Sequence, residues 1–352
     1  MAKYKLKCLE CGASYGETYY TQICERCNGL LEVIYAHISK PKRIGSFWDM
    51  KGVLPDSDYM ELELGNTKLI KTGSNVYAKL EFENPTRSFK DRGSSIEISK
   101  ALEFGFRKVC CASTGNMGMS ISRYAKVAGI QATVFMERSG NKNKMARIKE
   151  YGARLIKVDG DFNDSMRAAE AFAKKNKAFV CGDYHFRKEG QKSLAFEIID
   201  QLDGIAPDFI FIAVGNATLL AGIHKALKEY MNFGLINRYP RIVAVQSSQC
   251  NPLVRAYKSG REVKRVVPRT FADAIAVGYP TFGFEGVRAL KATGGIAISV
   301  SDKQIGDAVR HLKDIGISSE PGGAAGFAGY TRLLENGTLS GKKSVVIISG
   351  NN

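Results

Sequence analysis

The chain has 352 residues, of which 44% are hydrophobic and 24% charged, and its formal net charge is +16. This length is sufficient for two domains with filled cores. The apolar runs are only as long as strands, which excludes a membrane span, and the first ten residues lack the apolar core of a signal peptide. The expected location is therefore the cytoplasm. The basic residues are spread along the chain without a nucleic-acid-binding signature, so no nucleic-acid partner is expected. The net charge is interpreted as background composition together with an attraction for anionic small molecules.

The first predicted unit, residues 1–37, contains two Cys-x-x-Cys knuckles separated by twelve residues. Paired knuckles flanked by glycine are typical of a zinc ribbon, in which four thiolates hold one tetrahedral Zn²⁺. The predicted ligands are Cys8, Cys11, Cys24 and Cys27. The alternatives are a disulfide-bonded hairpin, which a cytosolic setting disfavours, and a ribbon that has lost its metal. The remaining cysteines stand among apolar residues and are predicted to be core residues: Cys110, Cys111, Cys181 and Cys250.

From residue 75 onward, strand-length apolar runs alternate with amphipathic stretches of helical period. The first set predicts strands at 76–81, 108–113, 132–136, 154–159 and 178–182, with helices at 92–105, 117–128, 143–151 and 163–175. The second set predicts strands at 208–214, 241–246, 295–300 and 344–349, with helices between them. This alternation is typical of parallel sheets covered by helices on both faces. The expected fold class is α/β, with two lobes and the ligands at the carboxyl ends of the strands.

The stretch "ENPTRSFKDRG", residues 83–93, raises the first functional question. It places Lys90 behind an aromatic residue, in a turn with proline and serine, just before a predicted helix. A solvent-exposed lysine needs no such setting. A lysine that forms a covalent imine needs a fixed position and partial exclusion of water. Lys90 is therefore the candidate catalytic residue.

Three further segments stand where a predicted strand ends. Residues 112–118, "ASTGNMG", offer hydroxyls, an amide and backbone N–H groups to an anion or a polar ring. Residues 214–223, "VGNATLLAGI", join small residues to a helix N-terminus, which suits a phosphate group. Residues 347–352, "IISGNN", end a strand with a hydroxyl residue. Each segment alone is also typical of an ordinary turn, so the prediction of one ligand site depends on the four segments together.

In this order, the four segments resemble those of the fold-type-II pyridoxal 5'-phosphate (PLP) enzymes of the tryptophan synthase beta superfamily, and among them the threonine synthase family. The resemblance extends from about Gly65 to Gly350 and rests on "NPTRSFKDRG", "CASTGNMG" and the segments 186–202, 271–280 and 320–329. The Cys-bearing leader is similar to that of some members. We expect a large PLP-binding domain at 38–91 and 188–352, a small inserted α/β domain at 92–187, and a homodimer.

The resemblance implies a role for each matching residue. Lys90 is the Schiff-base lysine and proton shuttle, and Ser349 meets the pyridine nitrogen, where a hydroxyl favours elimination and replacement over transamination. The implied cofactor-binding residues are Phe89, Lys90, Asn116, Gly215, Asn216, Ala217, Thr218 and Ser349. The implied substrate-binding residues are Ser113, Thr114, Met117 and Arg187. Within the second set, Ser113 and Thr114 face the substrate carboxylate and Arg187 binds its phosphate.

For the threonine synthase family, the implied reaction converts O-phosphohomoserine and water into threonine and phosphate, so the expected partner is a small phosphorylated amino acid. The departures from the family lie where the leaving phosphate is expected: Met117 replaces a threonine, and Cys181 with Gly182 replaces an Asn-Ser pair. Each lost donor costs about 1.5–3 kcal/mol. Arg87 and His185 are candidate replacements.

These departures leave alternatives for the function. A diverged enzyme acts by β-elimination or replacement on another amino acid, such as O-phosphoserine, or deaminates serine or threonine. Outside the enzymes, the alternative is a binding module that keeps the fold and uses the basic surface and the ribbon for a macromolecular partner. The presence of Lys90, Asn116 and Ser349 together disfavours this second alternative, because a scaffold without chemistry does not require all three.

Overall fold

The computed structural model describes residues 3–41, 44–55 and 64–352. The strands in chain order are β1 (Tyr4–Cys8), β2 (Ser14–Tyr15), β3 (Leu31–Tyr35), β4 (Leu69–Lys71), β5 (Val76–Leu80), β6 (Lys108–Ala112), β7 (Gln131–Glu137), β8 (Arg154–Val158), β9 (Phe179–Val180), β10 (Phe209–Ala213), β11 (Arg241–Ser247), β12 (Ile296–Val300) and β13 (Ser344–Ile348). The helices are α1 (Lys90–Glu103), α2 (Asn116–Val127), α3 (Lys142–Glu150), α4 (Phe162–Asn176), α5 (His185–Asp200), α6 (Thr218–Asn232), α7 (Pro252–Ser259), α8 (Gly283–Ala292), α9 (Asp302–Asp314) and α10 (Pro321–Glu335). Across these ranges we find no helix with the length and apolar character that a membrane span requires.

The strands and helices predicted beyond residue 75 are confirmed, and where bounds were predicted, their ends differ from the predicted ones by at most two residues. One difference concerns the candidate site: α1 begins at Lys90, not at the predicted Arg92. The first residue of a helix needs no intrahelical partner for its N–H group, so the helix can start directly after the turn. Lys90 therefore stands on the first turn of a regular helix and has a fixed backbone.

The chain divides into two compact units, residues 1–64 with 90–191 and residues 65–89 with 192–352. The first unit holds the short antiparallel sheet β2-β1-β3 and the parallel sheet β8-β7-β6-β9. On one face of the parallel sheet, Cys110 and Phe135 pack against Ala169 and Ala173 of α4. The other face packs against α2, where a Cβ at Gly118 would lie 2.9 Å from Val134. The predicted division into three parts stays a prediction.

The antiparallel sheet at the N-terminus is anchored to the rest of the first unit by polar contacts. The Lys188 ammonium lies 2.6 Å from the Glu32 carboxylate, and the Tyr35 hydroxyl donates to Glu189 at 2.5 Å. The Gln22 amide donates to the carbonyl of Val180 at 2.9 Å. This sheet is therefore part of the first unit and contacts the beginning of α5.

The second unit is built on the six-stranded sheet β12-β11-β10-β13-β5-β4. All five residues of β13 are buried, as expected for a parallel strand covered on both faces, and the edge strand β4 pairs antiparallel with β5. Helix α10 approaches the sheet closely because its inner face is made of small residues. A Cβ at Gly329 would lie 2.4 Å from Val245, so only glycine fits there. Because β10 and β13 are parallel neighbours, their carboxyl ends lie side by side.

Candidate active site

Lys90 lies beside an acidic residue in the first unit. Its Nζ is 4.0 Å from the Asp183 carboxylate, and the side chains are 18% and 7% exposed, respectively. Asp183 is not among the predicted site residues. A carboxylate in a loop carries no signal of its own, because most such residues are solvent-exposed. The structure thus adds a nearly buried negative charge next to the candidate catalytic amine.

Arg187, the residue expected to bind the substrate phosphate, is completely buried at the start of α5. Its Nη2 donates to the Glu97 carboxylate and, at 3.2 Å, to the Ser94 hydroxyl. Its Nε donates to the carbonyl of Gly182 at 3.0 Å, and its Nη1 lies 3.4 Å from the carbonyl of Lys90. Complete burial raises the pKa of Glu97 to about 7, while attraction to Arg187 acts against that rise. The guanidinium therefore ties α1 to the loop before α5.

The same loop contains the pair that departs from the family pattern. The N–H of Gly182 donates to Glu97 at 2.7 Å, and the N–H of Cys181 donates to the carbonyl of Cys110 at 2.8 Å. Burial raises the pKa of the Cys181 thiol well above its usual value, so this thiol is neutral and is a packing group. Because Gly182 is held from both sides, the adjacent Asp183 is fixed beside Lys90.

Four of the predicted site residues meet where β6 ends and α2 begins: Ser113, Thr114, Asn116 and Met117. The Ser113 hydroxyl accepts from the N–H groups of Gly115 and Gly118, at 3.0 and 2.8 Å, and so satisfies two donors at the helix start. Asn116 and Met117 are the first residues of α2 and are 8% and 7% exposed. This junction is the kind of helix start that binds anions.

A lysine outside the predicted site residues lies against this junction. The side chain of Lys144 on α3 is 2% exposed, and a Cβ at Gly115 would lie 2.2 Å from its Cδ. Gly115 has φ +151°, a conformation that favours glycine, so neither the backbone nor the packing tolerates a larger residue there. Lys144 therefore brings a buried cation to the strand end that carries Ser113.

The remaining predicted residues lie in the second unit. The N–H of Phe89 donates to the carbonyl of Ser349 at 3.1 Å, and Ser88 forms an antiparallel bridge with Gly350. These contacts join the turn before Lys90 to the end of β13. Arg87, a candidate replacement for the lost phosphate donors, is exposed, and its Nε donates to the carbonyl of Asn351 at 2.9 Å.

The loop after β10 carries the other predicted cofactor ligands. Ala217 has a left-handed backbone, with φ +61°, and directly precedes the fifteen-residue helix α6, whose first residue is Thr218. A Cβ at Gly215 would lie 3.3 Å from the carbonyl oxygen of Ala274, a tight contact that favours glycine. The Asn216 side-chain oxygen accepts from the N–H and hydroxyl of Thr281, both at 3.2 Å. The loop is thus a fixed turn that opens a helix N-terminus.

The four predicted metal ligands are brought together in the N-terminal sheet. The Sγ atoms of Cys8, Cys11, Cys24 and Cys27 all lie within 4.8 Å of one another. The Cys8–Cys27 pair is separated by 3.5 Å and the Cys11–Cys24 pair by 3.6 Å. A tetrahedron with Zn–S bonds near 2.3 Å has sulfur separations of roughly 3.8 Å. All four cysteines are free thiols, so the structure contains no disulfide here.

Comparison with known proteins decides the family. Residues 60–350 match the model of the pyridoxal-phosphate dependent enzyme family. The chain belongs to this family. It is 34% identical to a threonine synthase of Methanosarcina acetivorans, over 98% of this chain and 91% of that protein. It is 33% identical to a threonine synthase of Methanocaldococcus jannaschii, over 97% and 91%. Within the family, the chain therefore belongs with the threonine synthases.

Solved structures agree on the fold. Maize serine racemase superimposes with a TM-score of 0.72 at 22% identity, over 81% of this chain and 88% of that one. Threonine deaminase isoform 2 from Solanum lycopersicum gives a TM-score of 0.69 at 24% identity, over 80% and 76%. At these identities the likeness shows the fold alone. The predicted α/β fold-type-II class and the prediction of an enzyme are both confirmed.

The residues present fit PLP, the cofactor of this family. Lys90 offers a fixed and partly exposed amine for covalent attachment. The turn at Gly215 and Ala217 opens the N-terminus of α6, where backbone N–H groups and the helix dipole suit the cofactor phosphate. A buried hydroxyl residue, Ser349, directly follows β13, the neighbour of β10. Taken one by one, these groups suit the aldehyde, the phosphate and the ring nitrogen of the cofactor.

Proposed function

We propose that this chain is a PLP-dependent lyase that converts O-phosphohomoserine and water into threonine and phosphate. The observation that supports this most strongly is the identity of 34% to a threonine synthase over 98% of the chain. The bound cofactor would withdraw electrons from the amino acid's α-carbon. The Lys90 amine would take and return protons at the α- and β-carbons, since one positioned amine can serve neighbouring atoms.

The proposed substrate contacts come from the first unit. The helix start at Ser113 and Asn116 would receive the substrate carboxylate. Lys144 would supply the positive charge for the leaving phosphate, because its buried side chain packs against Gly115 of the same junction. This role was assigned to Arg187 from the sequence, and the pairing of that guanidinium with Glu97 supports Lys144 as the better candidate.

The direct test is an assay of the purified enzyme with O-phosphohomoserine and PLP. We expect phosphate and threonine to form in equal amounts. Formation of 2-oxobutanoate from threonine, or of pyruvate from serine, with no threonine synthesis, would contradict the proposal and favour the deaminase alternative.

One observation favours that second candidate, an eliminating enzyme for unphosphorylated hydroxy-amino acids such as serine or threonine. The Asp183 carboxylate is nearly buried 4.0 Å from Lys90 Nζ. A fixed negative charge so close to the reacting amine would repel a phosphate dianion, and solvent would screen that repulsion poorly. An uncharged hydroxyl leaving group would not meet this repulsion.

Two variants separate the roles of these charges. Lys144→Met should lower kcat/KM for O-phosphohomoserine by roughly 10- to 100-fold, because it removes a charge-assisted contact worth about 1.5–3 kcal/mol. Asp183→Asn should raise the same kcat/KM, because it removes a repulsion. Steady-state kinetics on O-phosphohomoserine and on threonine, measured with each variant, provides the comparison. Equal changes for both substrates would show that neither side chain senses the phosphate.

We also propose that the four clustered cysteines bind one structural Zn²⁺ per chain, as in a zinc ribbon. Their sulfur separations support this, since they are close to those of a tetrahedral site. Metal analysis of the purified protein should find one zinc per chain, and Cys11→Ser should lose it. The matched variant Cys250→Ser, whose thiol belongs to the second unit, should keep the zinc. A protein purified without chelator that contains no zinc would contradict the proposal.

Two further expectations from the sequence remain proposals, the homodimer and the cytoplasmic location. The three-part domain division and the individual cofactor contacts are also proposals. Size-exclusion chromatography with light scattering tests the first, with a mass of twice 38.6 kDa as the expected result.

A further inference from the structure

A cleft of about 530 Å³ opens in the first unit, away from the residues discussed above. Its floor is formed by the first residues of β6, β7 and β8, and its walls by α2, α4 and the turn after α3. The lining residues are Lys108, Ser122, Lys126, Ile130, Gln131, Ala132, Thr133, Tyr151, Gly152, Ala153, Arg154, Phe172 and Asn176. Its volume lies within the range of roughly 300–1,000 Å³ that is typical of small-molecule sites.

The cleft lies at the opposite end of the sheet from the candidate active-site residues of this unit. Lys108 is the first residue of β6, whereas Ser113 follows the last. Five residues of extended strand span roughly 16 Å. Similarly, Lys126 lies near the end of α2 and Asn116 at its beginning, about 15 Å apart along the helix axis. A ligand in the cleft would therefore not be a substrate of the proposed reaction.

The charges of the cleft are of one sign. Lys108, Lys126 and Arg154 contribute to its lining, which contains no Asp or Glu. Across the part of the chain that the structure describes, none of these three cations forms an ion pair with a carboxylate. Arg123 reinforces the positive charge, because its guanidinium carbon lies 6.0 Å from the centre of the Tyr151 ring. A concave surface with uncompensated cations concentrates anions.

The cleft also offers two aromatic rings, those of Tyr151 and Phe172, and two carboxamides, those of Gln131 and Asn176. The Tyr151 hydroxyl accepts from Arg147 at 3.0 Å, and the Phe172 ring packs against Phe135 with centroids 5.5 Å apart. Asn176 donates through its Nδ2 to the carbonyl of Phe172 at 2.9 Å, which leaves its side-chain oxygen as an acceptor. Both rings belong to the lining of the cleft, so a planar ligand there would contact them, and the carboxamides can hydrogen-bond its polar edge.

We propose that this cleft binds a small aromatic phosphate ester, the class to which the nucleoside monophosphates belong. The cations would meet the phosphate, and the ring of Tyr151 or Phe172 would contact the planar group. A free inorganic anion uses only the cations, whereas an aromatic ester uses both features. The cleft therefore predicts a preference for the ester over either of its parts.

Isothermal titration calorimetry of the holoenzyme tests the proposal, after gel filtration has removed free PLP, which is itself an aromatic phosphate ester and would compete for the cleft. AMP, adenosine and inorganic phosphate are titrated separately at low ionic strength. We expect AMP to bind once per chain, and at least about tenfold more tightly than adenosine or phosphate, because only AMP combines the charge with the ring. Added salt should weaken AMP binding.

Variants locate the site. Lys126→Gln combined with Arg154→Gln should weaken AMP binding by roughly tenfold or more. Both side chains are exposed, so the fold should be retained, which circular dichroism checks. The control Lys291→Gln removes an exposed lysine of α8 in the second unit and should leave the affinity unchanged. Absence of saturable AMP binding, equal affinity for AMP and phosphate, or unchanged AMP binding by the double variant would overturn the proposal.

Discussion

Replacing Lys90 with alanine should abolish the visible absorption of the bound cofactor and lower kcat/KM by roughly 10²- to 10⁴-fold or more. This range is the usual effect of losing a positioned proton-transfer group, and the loss of covalent attachment adds to it. The measurement is an absorption spectrum of the purified variant after incubation with PLP, followed by an assay with O-phosphohomoserine.

Lys90→Arg is the matched variant for this experiment. It keeps a cation beside Asp183, as in the parent chain. A guanidinium, however, remains protonated and forms no stable imine. Both variants should therefore be colourless and inactive. If Lys90→Arg kept the absorption band and the activity, the charge of residue 90 would be its contribution, and the assignment of a covalent role would be wrong.

Arg187→Ala should lower the free energy of unfolding by about 3–5 kcal/mol, the usual effect of breaking a buried ion pair by removing one partner. The side chains of Arg187 and Glu97 are both 0% exposed, so the substitution leaves a buried carboxylate without its cation. It also removes the donor that holds the carbonyl of Gly182. Urea unfolding of the holoenzyme measures the effect.

Arg167→Ala provides the control, because Arg167 also pairs with a carboxylate, that of Asp164, but its side chain is 69% exposed. Pairs of this kind contribute about 0–1 kcal/mol, so this variant should unfold almost like the parent chain. The opposite pattern is equally informative. If Arg187→Ala were as stable as Arg167→Ala and lost activity only on phosphorylated substrates, the role that the sequence suggested for Arg187 would be correct.

The period of the apolar residues was sufficient to predict the strands and helices beyond residue 75. Runs such as that of β13 are apolar throughout because the strand is buried on both faces, and this pattern is local in the sequence. Helix α1 starts two residues before the predicted position, because nothing in "SFKD" distinguishes the last residue of a turn from the first of a helix. The edge strand β4, only three residues long, had no periodic signal at all.

The candidate site was predicted in its main chemistry but not in its charges. Lys90 and the strand ends could be found because short motifs carry them. The contacts of Asp183 with Lys90 and of Arg187 with Glu97 join residues about ninety positions apart in the chain. Lys144 lies on a helix that is rich in basic residues, a pattern typical of a solvent-exposed face, whereas Lys144 itself is buried. Such pairings depend on how the helices pack, and no local pattern encodes them.

Reduction of the holoenzyme with sodium borohydride, followed by proteolysis and mass spectrometry, tests the central assignment most directly. Reduction fixes the bond between the cofactor and whichever lysine carries it. The account predicts one modified peptide, with the pyridoxyl group on Lys90. A label on another lysine, or no label in a protein that binds PLP, would contradict it.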